Sequence, residues 1–307
     1  MNYAELDSFY RQIVGTVRAG GFPCAITSGM ACVNYGVVET TNDCDILCGT
    51  DGARGLLTTL QEVRVDGEGA SYRGTMSAPL DTRWLRGGWT AHFVWRSARA
   101  EAYLDVFGVP PRGTGDWASE VRDLYAGRHT VAEMKRTNRE RDWPYATALG
   151  AQLLAAGDAR GWLHIFDLDV LEAFADRIPR SDSLLALRPV LRLLGDARLK
   201  QALHVEREFW FELDRQRLSI YQRAVRPYAS AVRKDPMATR IPLSAQHAVR
   251  VEWAEKLLPT NPIHDHGVDA MIADARGELL KLFEPSLLQW LPDVRENFQA
   301  LEKRGHD

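Results

Sequence analysis

The stretch TSGMACVNYGVVETTNDCDILC, residues 27–48, decides how the rest of the chain is read. It holds a Ser-Gly pair, a short run with helical spacing, and two aspartates, Asp43 and Asp45, one residue apart ahead of an apolar run. Side chains two positions apart on a strand share a face. A strand through DCDILC therefore projects Asp43 and Asp45 together and turns Cys44 and Ile46 into the core. Like charges about 6–7 Å apart on one strand face repel. Where they are partly buried, either a carboxyl pKa rises or a cation joins them. The plain alternative for Asp-x-Asp is a solvated strand end or turn.

A third carboxylate belongs with this pair. In AEAYLDVFGV (100–109), Asp105 is the one charged residue within YLDVFGV, and on a strand it shares its face with Tyr103 and Phe107. An aspartate in such a run needs a partner. If this strand pairs beside DCDIL, Asp105 joins Asp43 and Asp45 in an oxygen-rich cluster suited to a hard divalent cation, Mg²⁺ first and Mn²⁺ as the alternative. Ser28-Gly29 supplies a small-residue turn between strand and helix, where backbone N–H groups can approach a phosphate and Ser28 adds a hydroxyl.

Further out, the character of the sequence changes near residue 115. Before it, β-prone runs alternate with turns; after it, almost everything has helical periodicity. AELDSFYRQIVGTVRAG (4–20) and GARGLLTTLQEV read as helices, and PCAITSG, DCDILCG, SYRGT, TRWLRGG, WTAHFVW and AEAYLDVFGV as strands, with Gly87-Gly88 as a hairpin turn. The later part predicts one helix from about Thr130 through DWPYATALGAQLLAAGD. Others cover DLDVLEAFADRI, SLLALRPVLRLLG, a long stretch from 198 to 234, SAQHAVRVEWAEKLL and VDAMIADARGELLKLF. The fold class expected is α+β (mixed α/β): a core with a mixed sheet over residues 1–128, then a mostly α-helical domain over 129–307.

These residues resemble the nucleotidyltransferase superfamily with the DNA polymerase β-like fold, whose hallmark is a small-residue turn opening a helix, Asp-x-Asp, and a third Asp on a later strand. Thr41-Asn42-Asp43-Cys44-Asp45 is similar to the T-x-D-x-D run of the bacterial abortive-infection and toxin–antitoxin branch. EMKRTNRERDWPYATAL (133–149) resembles the helix that follows the core in that branch, with Lys135, Arg136, Arg141 and Asp142 at its charged positions. Arg141 and Asp142 are adjacent here, and Glu39 stands where many relatives carry Arg. The resemblance covers about the first 150 residues.

The resemblance implies transfer of a nucleoside monophosphate from a nucleoside triphosphate (ATP among the candidates) to an acceptor. Asp43, Asp45 and Asp105 would be metal ligands and catalytic residues, and Lys135 would be catalytic through its charge on the phosphates. Ser28, Gly29, Thr41, Lys135, Arg136 and Arg141 would contact the nucleotide. In the toxin branch the acceptor is tRNA or protein, and an antitoxin partner is implied. A small-molecule acceptor, which predicts a closed acidic cleft, and an inactive nucleotide-binding or interaction module remain open beside it.

Bulk properties bound these readings. The chain has 307 residues, is 45% hydrophobic and 26% charged, and carries a formal net charge of -3, which excludes a uniformly basic nucleic-acid binder. No apolar run approaches the roughly 20 residues that span a bilayer, and the start MNYAELDSFYRQIV is unlike a signal peptide, so a cytoplasmic protein is expected. Cys24, Cys32, Cys44 and Cys48 lack C-x-x-C spacing; buried thiols are expected, with redox sensing as the alternative. His264 and His266 in NPIHDHGVD are expected in a polar loop that caps a helix rather than on a metal. Residues 198–234 hold nine Lys and Arg against four Asp and Glu, with interleaved aromatics. That pattern fits either an amphipathic core helix or, less simply, a nucleic-acid surface.

Overall fold

The computed structural model describes residues 1–114, 116–238 and 242–302; the tail 303–307 of the expected helical domain lies outside them. The chain opens with α1 (Tyr3–Ala19), β1 (Cys24–Thr27), α2 (Ser28–Asn34), β2 (Cys44–Cys48) and α3 (Ala53–Glu62). A ribbon of β3 (Arg64–Val65) and β4 (Glu68–Gly69) leads to β5 (Ser71–Tyr72), α4 (Thr82–Arg86), β6 (Thr90–Arg96) and β7 (Glu101–Phe107). Then come α5 (Arg128–Met134), α6 (Trp143–Ala155), α7 (Leu168–Ala175), α8 (Asp182–Leu187) and α9 (Leu199–Lys234). The chain continues through α10 (Leu243–Leu257), α11 (Pro262–His266), α12 (Val268–Leu279) and α13 (Gln299–Glu302). The class is α+β, a mixed sheet followed by a mostly helical region.

The local chemistry accounts for the first elements. Asn2 and Glu5 form a capping box on α1, which satisfies two orphan N–H groups at once. Its apolar residues recur at helical spacing, so Tyr10, Ile13 and Val14 are fully buried. The five-stranded sheet runs in the order β1-β2-β7-β6-β5. β2 and β7 are parallel, and the other neighbours are antiparallel. The free edge of β1 is covered: Ile26 N–H donates to the Leu124 carbonyl and Ala126 N–H to that of Ile26, both at 2.8 Å. One sheet face lies on α1 and α3, where Phe9 meets Trp95 edge-on at 5.0 Å.

Two hydrophobic clusters result, one around the sheet and one around α9. Their boundary does not follow residue 128. Val131, Ala132 and Met134 of α5 pack in the sheet cluster, while Trp84 and Trp89 pack in the helical one.

The structure corrects four local expectations. TRWLRGG is not a strand: Asp81 accepts from Arg83 N–H at 2.9 Å as an N-cap, and α4 follows. Gly87-Gly88 therefore joins a helix to β6 instead of turning a hairpin. Gly87 lets two backbones touch, since a Cβ there would stand 1.7 Å from the Thr260 carbonyl oxygen. The helix expected from Thr130 is two helices, broken over 135–142. There the buried Asp142 carboxylate accepts from Lys135 Nζ at 3.2 Å and Thr137 Oγ1 at 2.7 Å, and pairs with Arg139 Nη2 at 2.6 Å. SLLALRPVLRLLG likewise splits, α8 ending at Leu187 ahead of Pro189. SYRGT keeps only Ser71 and Tyr72 in the sheet.

α9 is the amphipathic core helix. Phe209, Trp210, Tyr221 and Tyr228 are buried, so these aromatics face protein rather than a nucleic-acid strand. His264 and His266 lie within α11, which Asn261 caps by accepting from His264 N–H at 3.0 Å. All four cysteines are free thiols with no exposed surface. No helix among the described residues is long and apolar enough to cross a membrane.

Candidate functional site

Strand register assembles the site. Thr27 on β1 pairs with Asp45 on β2, Asp45 with Asp105 on β7, and Asp105 with His92 on β6. Residues directly opposite on neighbouring strands share a face, so these four side chains form one row across the sheet. The row borders a cavity of about 400 Å³ whose lining includes Ser28, Asp45 and His92. Arg217, Leu218 and Tyr221 of α9 close the cavity from the helical side, and Asn138 and Arg139 close it from the loop between α5 and α6.

Ser28 enters this cavity because β1 passes into α2 without a loop. Its φ is 52°, a left-handed conformation that costs a non-glycine residue roughly 1–2 kcal/mol. The strained turn sets the hydroxyl beside the Asp45 carboxylate, whose charged form it favours. Gly29 lets Thr41 pack close: a Cβ there would lie 2.7 Å from Thr41 Oγ1 and displace that side chain. Thr41, so placed, donates to Asp43 Oδ1 at 3.0 Å.

The three aspartates occupy different environments. Asp43 precedes β2 and is exposed, so it does not stand on the strand with Asp45 as the i, i+2 spacing predicts. Asp45 is partly buried; burial first, then the Asp105 charge, push its carboxyl from 3.8 up to about 7, against the pull of the Ser28 hydroxyl. Asp105 Oδ1 accepts from Arg73 Nη2 at 2.5 Å and lies 2.8 Å from His92 Nδ1. Arg73 also lies over the Tyr103 ring, 5.3 Å from its centroid.

The donor set tests the expected cation in two ways. Hard carboxylate oxygens, and a partly buried Asp45 whose carboxyl is pushed up beside Asp105, suit a divalent ion. Yet no group of three or more His, Cys, Asp or Glu side chains gathers in metal-holding geometry among the described residues. Asp45 and Asp105 come together; Asp43 stays with Thr41.

The basic residues divide. Lys135 is buried with its Nζ on Asp142, 5.5 Å from the Tyr145 ring centroid, and its charge is felt at Asp45. It backs the row without lining the cavity. Arg136 does not join the site. It is buried over Trp210 at 4.2 Å, pairs with Glu133 at 3.3 Å, and lines a separate cavity of about 210 Å³. Burial pulls its guanidinium down to about 10. Arg141 is exposed on the turn before α6.

Sequence reasoning missed Arg73 and His92 as members of the row. His92 lies on the expected strand WTAHFVW, but only the pairing register sets it against Asp105. Arg73 reaches the row from the turn after β5, for which no sequence pattern gave a signal. Arg139 and Arg217 were visible only as members of charged helical stretches. No protein-family model matches the chain, and no characterised protein matches it in sequence.

Proposed function

We propose that the chain is a divalent-cation-dependent nucleotidyltransferase, moving a nucleoside monophosphate from a nucleoside triphosphate to a hydroxyl acceptor on tRNA or protein in the cytoplasm. The observation that carries this reading is the in-register pair Asp45 and Asp105 beside the strained Ser28 turn, with Asp45 and Ser28 lining the cavity. Asp45 and Asp105 are the residues that would hold a divalent cation, whose chemistry when bound would be polarisation of the α-phosphate and acidification of the attacking hydroxyl.

The chain's own residues supply the rest. The Ser28 hydroxyl favours the charged form of the Asp45 carboxylate. Arg139 and Arg217, paired with Asp142 and Asp214, give the cavity wall two guanidiniums whose remaining N–H groups match phosphate oxygens. Lys135 adds a fixed positive charge behind Asp45. Met76, Trp89 and Val225 provide an apolar surface for a base or sugar. The arginine-bearing wall favours a polyanionic donor and runs against the acidic cleft that a cationic small-molecule acceptor requires. The antitoxin implied by the resemblance belongs to the same proposal.

The test is incubation with each α-labelled nucleoside triphosphate, Mg²⁺ or Mn²⁺, and either total tRNA or a protein lysate. Label retained on one acceptor by the natural chain and lost in Asp105→Asn is the expected result. Absence of transfer, together with absence of metal-dependent nucleotide binding, refutes the reading.

A further inference from the structure

We propose that the exposed face of the second half of α9 is a track for single-stranded nucleic acid, which leads the end of the strand to the cavity as the hydroxyl acceptor. The role of the strand as acceptor rests on the nucleotidyltransferase reading; its capture by α9 does not.

Burial sorts this half of the helix. Between residues 215 and 234 it carries six Lys and Arg and no Asp or Glu. Tyr221, Val225 and Tyr228 turn inward, whereas Arg223, Arg226, Arg233 and Lys234 are exposed. At 3.6 residues per turn these four cations fall within an arc of about 100°. Arg215 and Arg217 pair with Glu212 and Asp214, but the four form no ion pair among the described residues. A solvated helix face ordinarily interleaves both signs, and like charges one turn apart repel. The helix dipole accounts for Arg233 and Lys234 in the last turn. It fades within that turn and leaves Arg223 and Arg226 unexplained. Phosphates spaced along a strand neutralise all four.

The track has two defined ends. Gln222 lines the cavity and lies one turn before Arg226. Lys234, 12 residues or about 18 Å further along the helix, lines an open groove of about 570 Å³ with Pro227, Pro236 and the half-buried Trp253. The acid of that groove, Asp235, is engaged: Oδ2 accepts from Trp253 Nε1 and Oδ1 from Met237 N–H, both at 2.9 Å. An indole and two prolines give an unstacked base an apolar surface to pack on, which selects a single strand over a duplex. The helix is also tied to the cavity rim. The Tyr221 hydroxyl donates to the Gly87 carbonyl at 2.7 Å and the Tyr228 hydroxyl to the Ser77 carbonyl at 2.9 Å. Buried Arg250 donates to the same Ser77 oxygen at 3.1 Å and to the Gly74 carbonyl at 2.8 Å.

The experiment follows fluorescence anisotropy of labelled RNA and DNA single strands on the full chain over a salt series, with strands of about 12 nucleotides, within the site sizes of single-strand binders. The natural chain and Asp105→Asn should bind alike. Replacing all four cations (Arg223→Gln, Arg226→Gln, Arg233→Gln, Lys234→Gln) should lower the slope of log K against log salt by about 3 and weaken binding on the order of 100-fold near physiological salt. Arg192→Gln with Lys200→Gln, exposed cations off the track, should change neither. An unchanged slope in the quadruple variant, absent strand binding, or tighter binding to the duplex of the same sequence or to phosphatidylserine vesicles overturns the proposal. The label-transfer assay separates the two readings. Label moved to protein by a chain that binds no strand overturns the track and leaves the enzyme; strand binding without transfer or nucleotide binding leaves strand capture and overturns the enzyme.

Discussion

Replacing Asp45 with Asn tests the electrostatics of the row without assuming any reaction. In the folded chain the carboxyl is pushed from 3.8 to about 7, by burial first and the Asp105 charge second. Unfolded, it ionises near its ordinary value. Between those two values the unfolded chain sheds a proton that the native chain keeps, so native stability falls as pH rises, and the cost is complete above pH 7. At 1.36 kcal/mol per pKa unit the ceiling is about 4 kcal/mol. Partial contact of Asp45 with solvent halves this to about 2 kcal/mol.

Asn keeps an acceptor for the Ser28 hydroxyl and removes the charge. Asp45→Asn is therefore expected to melt higher than the natural chain at pH 8 by on the order of 4 °C. The gap should close as pH falls toward 4.5. Millimolar Mg²⁺ should raise the natural chain and leave the variant unmoved. Scanning fluorimetry from pH 4.5 to 8.5 reads all three. A variant less stable at pH 8, or a gap that ignores pH, would mean that Asp45 is already satisfied by protein partners and that the reasoning fails.

Four further outcomes follow, three from buried contacts and one from an open glycine. Asp142→Ala strands the buried Lys135 ammonium and should cost about 3–5 kcal/mol in urea unfolding, with Lys135→Met in the same chain recovering most of it; equal loss in the double variant would refute the pairing. Gly87→Ala drives a methyl into the Thr260 carbonyl and should cost more than about 4 kcal/mol or abolish soluble expression. Gly21→Ala, at φ +87° with open space around it, should cost only about 1 kcal/mol. Burial, then the Arg160 charge, hold His129 down to about 3. Its native neutrality therefore destabilises the fold progressively below pH 6.5, and His129→Gln should reduce the loss between pH 7 and pH 5 by about 2 kcal/mol. Denaturant curves at the two pH values would expose an error if the loss is unchanged.

The sheet strands were legible because their apolar alternation is local, and Asp105 stood out as a charge within such a run. The neighbours of that charge were not legible. His92 and Arg73 meet it through register and through a turn pinned by Arg250, and neither relation has a signature in a single stretch of chain. The two-residue spacing of Asp43 and Asp45 was a true periodicity applied one residue too early, since β2 begins only at Cys44. TRWLRGG was misread because its Gly-Gly suggested a turn more strongly than Asp81 suggested a cap. The break between α5 and α6 arises from three side chains converging on Asp142, a competition with the helix that apolar spacing does not register. On α9 the same basic-aromatic composition served two readings until burial separated them.

The placement of β7 bears on how the chain acquires its site during synthesis. β6 and β7 are joined by a short turn in which Ser97 N–H bonds to the Ala100 carbonyl at 2.9 Å, so they form a local hairpin on a microsecond scale. β2 is made some sixty residues earlier and waits for a parallel partner, the slower kind of pairing. β7 is the central strand, and its docking on β2 brings Asp105 to Asp45 and joins the hairpin to β1 and β2 in one sheet. A nascent or partly melted chain therefore carries its acidic residues apart. Completion of the sheet and assembly of the carboxylate pair are one event, so a chain that has not docked β7 on β2 has no carboxylate pair.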